Sequence, residues 1–124
     1  MTTWTNEELA EIEGTDELQV ATLRRDGTLS SLRTIWVVRR GGELYVRSVK
    51  GPSSDWFRGT QVRHEGHIQA GGVGKEVTFV DAAHNLDDEL DAAYRSKYRR
   101  YDASIVNTVL SPQAQATTIK LVPR

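Results

Sequence analysis

The 124-residue chain contains no cysteine, a single methionine and only three prolines. Without cysteine there can be no disulfide, no thiolate metal site and no cysteine nucleophile. Charge of one sign is also missing. Sixteen basic residues nearly balance seventeen acidic ones, leaving a formal net charge of −1. No global field therefore draws the chain to nucleic acid or to anionic lipid. No apolar run approaches the roughly 20 residues of a membrane span. The opening segment MTTWTNEELAEIEG is acidic and lacks the basic and apolar regions of a signal peptide. These absences predict a cytoplasmic protein with neither a nucleic-acid nor a membrane partner. Histidine is sparse as well. His64 and His67 are three apart near a strand, which puts them on opposite faces, and His84 is remote, so no metal site is expected.

What is present is ordinary for a globular protein: 38% hydrophobic and 27% charged residues, enough for one domain over 1–124. Thr5 followed by Glu8 forms a capping box, with Trp4 and Leu9 as a hydrophobic staple. The pattern predicts a first helix through Ile12 that ends at Gly14. Alternation around Leu18, Val20 and Thr22 predicts a strand. Asp26-Gly27 signals a hairpin turn, with a return strand over Thr28 to Arg39. Gly41-Gly42 marks a second turn, and Glu43 to Val49 a third strand. Pro52 to Val62 reads as a short helix. A second hairpin pairs His67 to Ala70 with Glu76 to Val80. Leu86, Leu90, Tyr94 and Tyr98 recur every four residues, which predicts an amphipathic helix to Arg100 with Asn85 as cap. Asp102 to Leu110 and the Ser111-Pro112 restart predict two further helices, and Thr117 to Val122 a last strand. Six short strands with glycine-rich turns imply a closed barrel, since closure removes exposed edges.

The stretch from Leu44 to Gly59, LYVRSVKGPSSDWFRG, concentrates donors at a strand–loop–helix junction. A helix start offers unpaired N–H groups that suit a phosphate. Arg47 and Lys50 would add charge, Ser48, Ser53 and Ser54 hydroxyls, and Arg33 and Thr34 can reach the patch from the neighbouring strand. The same residues also read as solvated charges and an N-cap serine.

The order DG hairpin, RTIWVV, ELYVRSV, KGPSSDWFRG, HIQAGG, EVTFVDA, AAYRSKYRRY resembles the flavin-binding split-barrel superfamily, and within it a small branch of the DUF2255 type. That superfamily includes pyridoxamine-phosphate oxidases and deazaflavin-dependent nitroreductases. The resemblance covers nearly the whole chain. It implies a mainly β, six-stranded, Greek-key-like split barrel with flanking helices, working as a homodimer with cofactor at the subunit interface. It also implies a flavin- or deazaflavin-dependent oxidoreductase acting on a small organic substrate. By that similarity Arg33, Thr34, Arg47, Ser48, Lys50, Ser53 and Ser54 are phosphate contacts, and Trp36 and Trp56 ring or ribityl contacts. The serine–arginine–lysine signature of the oxidases is replaced here by Lys50-Gly51-Pro52-Ser53-Ser54. FMN, a deazaflavin and no cofactor at all therefore stay open. A binding barrel that has lost its flavin is the alternative, and a haem-binding barrel a third reading.

Tyr94, Lys97, Tyr98 and Tyr101 share one face of the long predicted helix and are expected to line a substrate opening, with the Tyr98 phenol towards ligand. They also read as the packing edge of an amphipathic helix. Trp36 and Val38 share one face of the second strand and Ile35 and Val37 the other, so both faces are apolar. One is expected to fill the barrel and the other to meet a second subunit across a twofold axis.

Overall fold

In the computed structural model, which describes residues 3–124, the first helix α1 (Asn6–Glu13) is closed at both ends by its own sequence. The Thr5 side chain accepts from the Glu8 N–H, the Glu8 carboxylate accepts from the Thr5 N–H, and Gly14 caps the far end. Trp4 and Leu9 lie buried in one apolar cluster, and the Trp4 indole donates to the Leu121 carbonyl at 2.9 Å. Met1 and Thr2, the first residues of the segment weighed as a signal peptide, lie outside the described residues.

Six antiparallel strands close into a barrel in the order β1 (Glu17–Thr22), β2 (Arg33–Arg40), β3 (Glu43–Val46), β6 (Ile119–Pro123), β5 (Val73–Asp81), β4 (Glu65–Ala70), and β4 returns to β1. Leu18, Val20, Val37, Leu44, Ile68 and Phe79 fill its interior. Glycine at position 66 is required there. A Cβ would collide with the Ala21 carbonyl and lie 2.7 Å from the Phe79 ring.

Several boundaries differ from the sequence expectation. The return strand starts at Arg33, not Thr28, because the preceding loop is tied to β1 by its own bonds. Ser30 Oγ accepts from the Thr22 N–H, and the Ser30 N–H donates to the Thr22 carbonyl. The third strand stops at Val46. The expected Pro52–Val62 helix divides into a 3₁₀ turn, Gly51–Ser53, and α2 (Asp55–Arg63), because Ser54 is extended and caps α2 through the Phe57 N–H. Asn85 does not cap the next helix. It lies inside a 3₁₀ turn, His84–Leu86, that feeds α3 (Asp87–Lys97), which ends before Arg100. Helices α4 (Ala103–Val109) and α5 (Pro112–Gln115) start at Asp102 and Ser111 as expected. Among the described residues no helix is long and apolar enough to cross a membrane.

A second apolar cluster sits outside the barrel. Val38 and Tyr45, the outward residues of β2 and β3, pack against Leu90, Tyr94 and Tyr98 of the α3 region and Val106 and Val109 of α4. At Val38 the strand face expected to meet a partner is thus covered by this chain's own helices, while Trp36 on the same face is half-buried and Thr34 exposed. Alternation identifies two buried faces but not what buries them.

One polar group anchors this layer. Arg47, just past β3, is 2% exposed. Its guanidinium donates to Asp91 Oδ1 at 2.5 Å, to Thr118 Oγ1 at 3.0 Å and to the Val109 carbonyl at 3.1 Å, with Asp87 Oδ1 at 3.7 Å. Asp91 also accepts from Gln115. Groups from α3, the end of α4 and the lead into β6 therefore converge on one buried cation, with Gln115 behind Asp91.

The α3 tyrosines differ sharply from one another. The Tyr98 hydroxyl accepts from the Val37 N–H at 3.0 Å and donates to the Asp16 carbonyl at 2.7 Å. Its ring stacks on Trp36 at 3.8 Å. The Tyr94 hydroxyl is buried with no hydrogen-bond partner among the described residues. Burial pushes both phenols well above the ordinary tyrosine range.

Two predictions follow from these contrasts. Removing one side of the ion pair, by Arg47→Ala or Asp91→Ala, is expected to cost about 3–5 kcal/mol in urea unfolding. The double variant Arg47→Met/Asp91→Leu should recover part of that loss, because the guanidinium and its nearest carboxylate leave together and only Asp87, at 3.7 Å, loses its partner. Tyr98→Phe should cost about 1–3 kcal/mol by orphaning the Val37 N–H, whereas Tyr94→Phe should be neutral or stabilising. Equal losses for the two tyrosines would contradict the bonding described.

Candidate functional site

The first half of β2 presents Arg33, Thr34, Ile35 and Trp36 beside the loop that leaves β3. That loop is held by its own short side chains. Ser48 Oγ donates to the Gly51 carbonyl at 2.9 Å and meets Ser54 Oγ at 2.7 Å, while the Ser48 N–H donates to Thr117 Oγ1 at 2.8 Å. Gly51 takes φ of +74°, with the Gln113 side chain against the place a Cβ would occupy. These constraints set the start of α2 alongside β2.

Between them lies a half-open cavity of about 660 Å³. Its walls come from β2, the Arg47–Lys50 loop, the Ser53–Trp56 segment, and Ile105, Thr108 and Val109 of α4. Its lining includes the apolar and aromatic side chains Ile35, Trp36, Trp56 and Ile105 and the cations Arg33 and Lys50. Both cations are solvent-exposed, and Arg33 approaches Asp55 at only 4.0 Å. Asp55 belongs chiefly to Arg58, at 2.8 Å. That hydrogen bond holds its carboxyl below the usual range, and the charges of Arg33 and Lys50 add to the effect.

The structure brings Arg33, Thr34, Trp36, Arg47, Ser48, Lys50, Ser53, Ser54 and Trp56 to this one cavity. They are not equally available to a ligand. The Arg47 guanidinium is wholly enclosed by its carboxylates, so it borders the cavity without offering its charge there. Ser53 Oγ donates to the Lys50 carbonyl, and Thr34 Oγ1 to Gln19. Ser48 and Ser54 are engaged with each other. Lys50 has no ion-pair partner among the described residues, and Arg33 meets Asp55 only at 4.0 Å.

The tyrosine face of α3 does not border this cavity. Tyr94 and Tyr98 lie fully in the outer core, and the Tyr98 phenol faces backbone rather than an opening. Tyr101 is half-buried and donates to Asp16 at 2.8 Å. Lys97 opens onto a separate groove. The expectation of a substrate opening lined by these four is therefore corrected: the stripe turns inward because Trp36 stacks on Tyr98. Ile35, Asp55 and the α4 residues were missed. Alternation could have flagged Ile35, but nothing local ties Ile105 or Thr108 to a strand some seventy residues earlier. None of the three histidines lines the cavity.

Comparison with known proteins supports the architecture. The heme storage protein HutZ of Vibrio cholerae superposes with a TM-score of 0.65 at 13% identity, over 96% of this chain and 89% of that one. A putative 5-nitroimidazole antibiotic resistance protein of Bacteroides thetaiotaomicron gives 0.63 at 12%, over 99% and 81%. An F420 reductase gives 0.57 at 15%, over 93% and 90%. At such identities the likeness is one of fold, and the fold is the split barrel. No curated protein matches the chain in sequence. Residues 8–121 match the family described as "Uncharacterized protein conserved in bacteria (DUF2255)", and the chain belongs to that family.

Proposed function

We propose that this protein binds an anionic aromatic cofactor of the flavin or deazaflavin type in the 660 Å³ cavity and acts as an oxidoreductase on a small organic substrate. The observation that carries this reading is the cavity's mixed lining, aromatic and apolar side chains together with two solvent-exposed cations. Its volume falls within the range of about 300–1,000 Å³ usual for small-molecule sites. The neighbours named for heme storage and for F420 reduction are consistent with a barrel of this kind holding a planar ligand.

Trp36, Trp56 and Ile35 would hold the ring, and Lys50 and Arg33 the anionic tail. When bound, such a ring supplies the electron-carrying chemistry, and the protein supplies binding, orientation and electrostatics. Trp36 is suited to a fixed role because Tyr98 backs it at 3.8 Å and is itself anchored to β2. The ion-paired Arg47 keeps the loop that carries Lys50 in place. Asp55 supplies an opposing charge at the same rim, which disfavours bulky polyanions.

Val49 and Ile105 stand 46% and 49% exposed at the cavity's margin. In the proposed assembly a second copy covers them and completes the site. Sedimentation at micromolar concentration should then give a dimer, and a clean 13.9 kDa monomer would overturn this assembly.

The absorbance spectrum of the purified protein tests the cofactor. A two-banded flavin or single-banded deazaflavin spectrum is expected, whereas a Soret band would indicate haem. If the protein is colourless, titration decides. FMN should bind more tightly than riboflavin, and Arg33→Ala or Lys50→Ala should weaken FMN by about 1–2 kcal/mol each while leaving riboflavin unchanged. Asp55 at the rim and the internally bonded serines favour one second reading, a cofactor-free small-molecule-binding barrel. Failure of FMN, deazaflavin and haem to bind would select it.

A further inference from the structure

A smaller groove of about 380 Å³ lies between α1, the second half of β2 and the end of α3. Arg39, Lys97, Arg99 and Arg100 line it, with Glu13 and Ser96. Four cations thus face one carboxylate. Glu13 engages Arg39 at 3.4 Å. Arg100 pairs with Asp16, which also accepts from Tyr101. Lys97 Nζ has the Val37 carbonyl, at 2.7 Å, and the Tyr98 ring, 5.3 Å from its centroid, and Arg99 has the Ser96 carbonyl, at 3.0 Å. Neither has a carboxylate within ion-pair distance among the described residues.

We infer that this groove is an anion site that binds a small phosphoryl group, inorganic phosphate or a simple phosphate monoester, between Lys97, Arg99 and the flanking Arg39 and Arg100. Basic residues commonly gather at a helix C-terminus to offset its partial negative charge. That accounts for Lys97, Arg99 and Arg100 near the end of α3. It does not account for Arg39, which arrives from β2 and is only 28% exposed, nor for the half-burial of Lys97. Burial pushes the Lys97 ammonium down to about 8, against the pull of Glu13. A desolvated ammonium with no anion beside it is under electrostatic tension, and charge-assisted bonds from a phosphoryl oxygen would relieve it. With two carboxylates serving four cations, the excess of positive charge suits a doubly charged ligand. The groove contains no aromatic ring, so it is not matched to a flavin. The inference is independent of what the larger cavity binds.

Calorimetric titration of the full chain with inorganic phosphate, and separately with glycerol phosphate, tests the site at a pH of about 7.5, where the phosphoryl group is largely dianionic. Binding of at least one of them at one site per chain is expected. Preference between the two distinguishes a free from an esterified phosphate. Lys97→Met should weaken binding about tenfold or more. Arg99→Ser, on an exposed side chain with no tertiary bond, should weaken it several-fold without affecting folding. Lys50→Ala removes a cation of the larger cavity and should leave the Lys97-dependent binding in place. No binding of either probe, binding indifferent to both Lys97→Met and Arg99→Ser, or binding abolished by Lys50→Ala would each overturn the inference.

Discussion

A guanidinium with no access to water has to find its partners inside the protein, and in this chain Arg47 finds them on three separate segments. Asp91 and Asp87 come from α3, the Val109 carbonyl from the end of α4, and Thr118 from the lead into β6. Gln115 of α5 steadies Asp91 from behind. Such a pair contributes little net stability over a well-packed apolar substitute. What it imposes is arrangement. Only one placement of the helical layer satisfies the charge, so the layer is fixed in position as well as in contact. The large cavity inherits its shape from that placement, because α4 forms one wall and the loop after Arg47 another.

Strand β2 divides the molecule into regions of different character. Val37 faces the barrel interior and Val38 the helical layer. Towards its start the strand contributes Arg33 to Trp36 to the large cavity, and towards its end Arg39 to the cationic groove. Between the two, Tyr98 lies against Trp36, bonds Val37, and has the Lys97 ammonium 5.3 Å above its ring. A single tyrosine thus touches the walls of both recesses. This explains why its hydroxyl belongs to the backbone and not to a ligand.

The barrel was largely legible from local signals. The capping box at Thr5, the glycine turns at 41–42 and 71–72, and the alternation of β1, β4 and β5 depend on residues close in sequence. So does the concentration of donors after β3, which is why those residues could be singled out before their surroundings were known. Two aspects depended on distant residues and were not legible. Arg47 looked like a ligand contact, because its carboxylates lie 40 and 44 residues downstream, on α3. The tyrosines looked like a pocket wall, because helical spacing identifies a shared face without saying whether that face meets a strand or a solvent-filled recess. The same limitation affected the outer face of β2, expected to meet a partner, of which the Val38 end is covered by α3 and α4.

The place of the last strand has a consequence for how the chain reaches this state. β6 lies between β3 and β5, and it pairs with both. Until residues 119–123 arrive, the earlier strands form only an open sheet with two unpaired edges. The Trp4 indole also waits for the Leu121 carbonyl, across 117 positions of sequence. Contacts of such long range are formed slowly, because the intervening chain must be ordered before they repay the entropy lost. Closure is therefore a late event in folding. During synthesis, until residues 119–123 emerge, the five earlier strands display two sheet edges that can pair with another molecule, and β6 removes both at once.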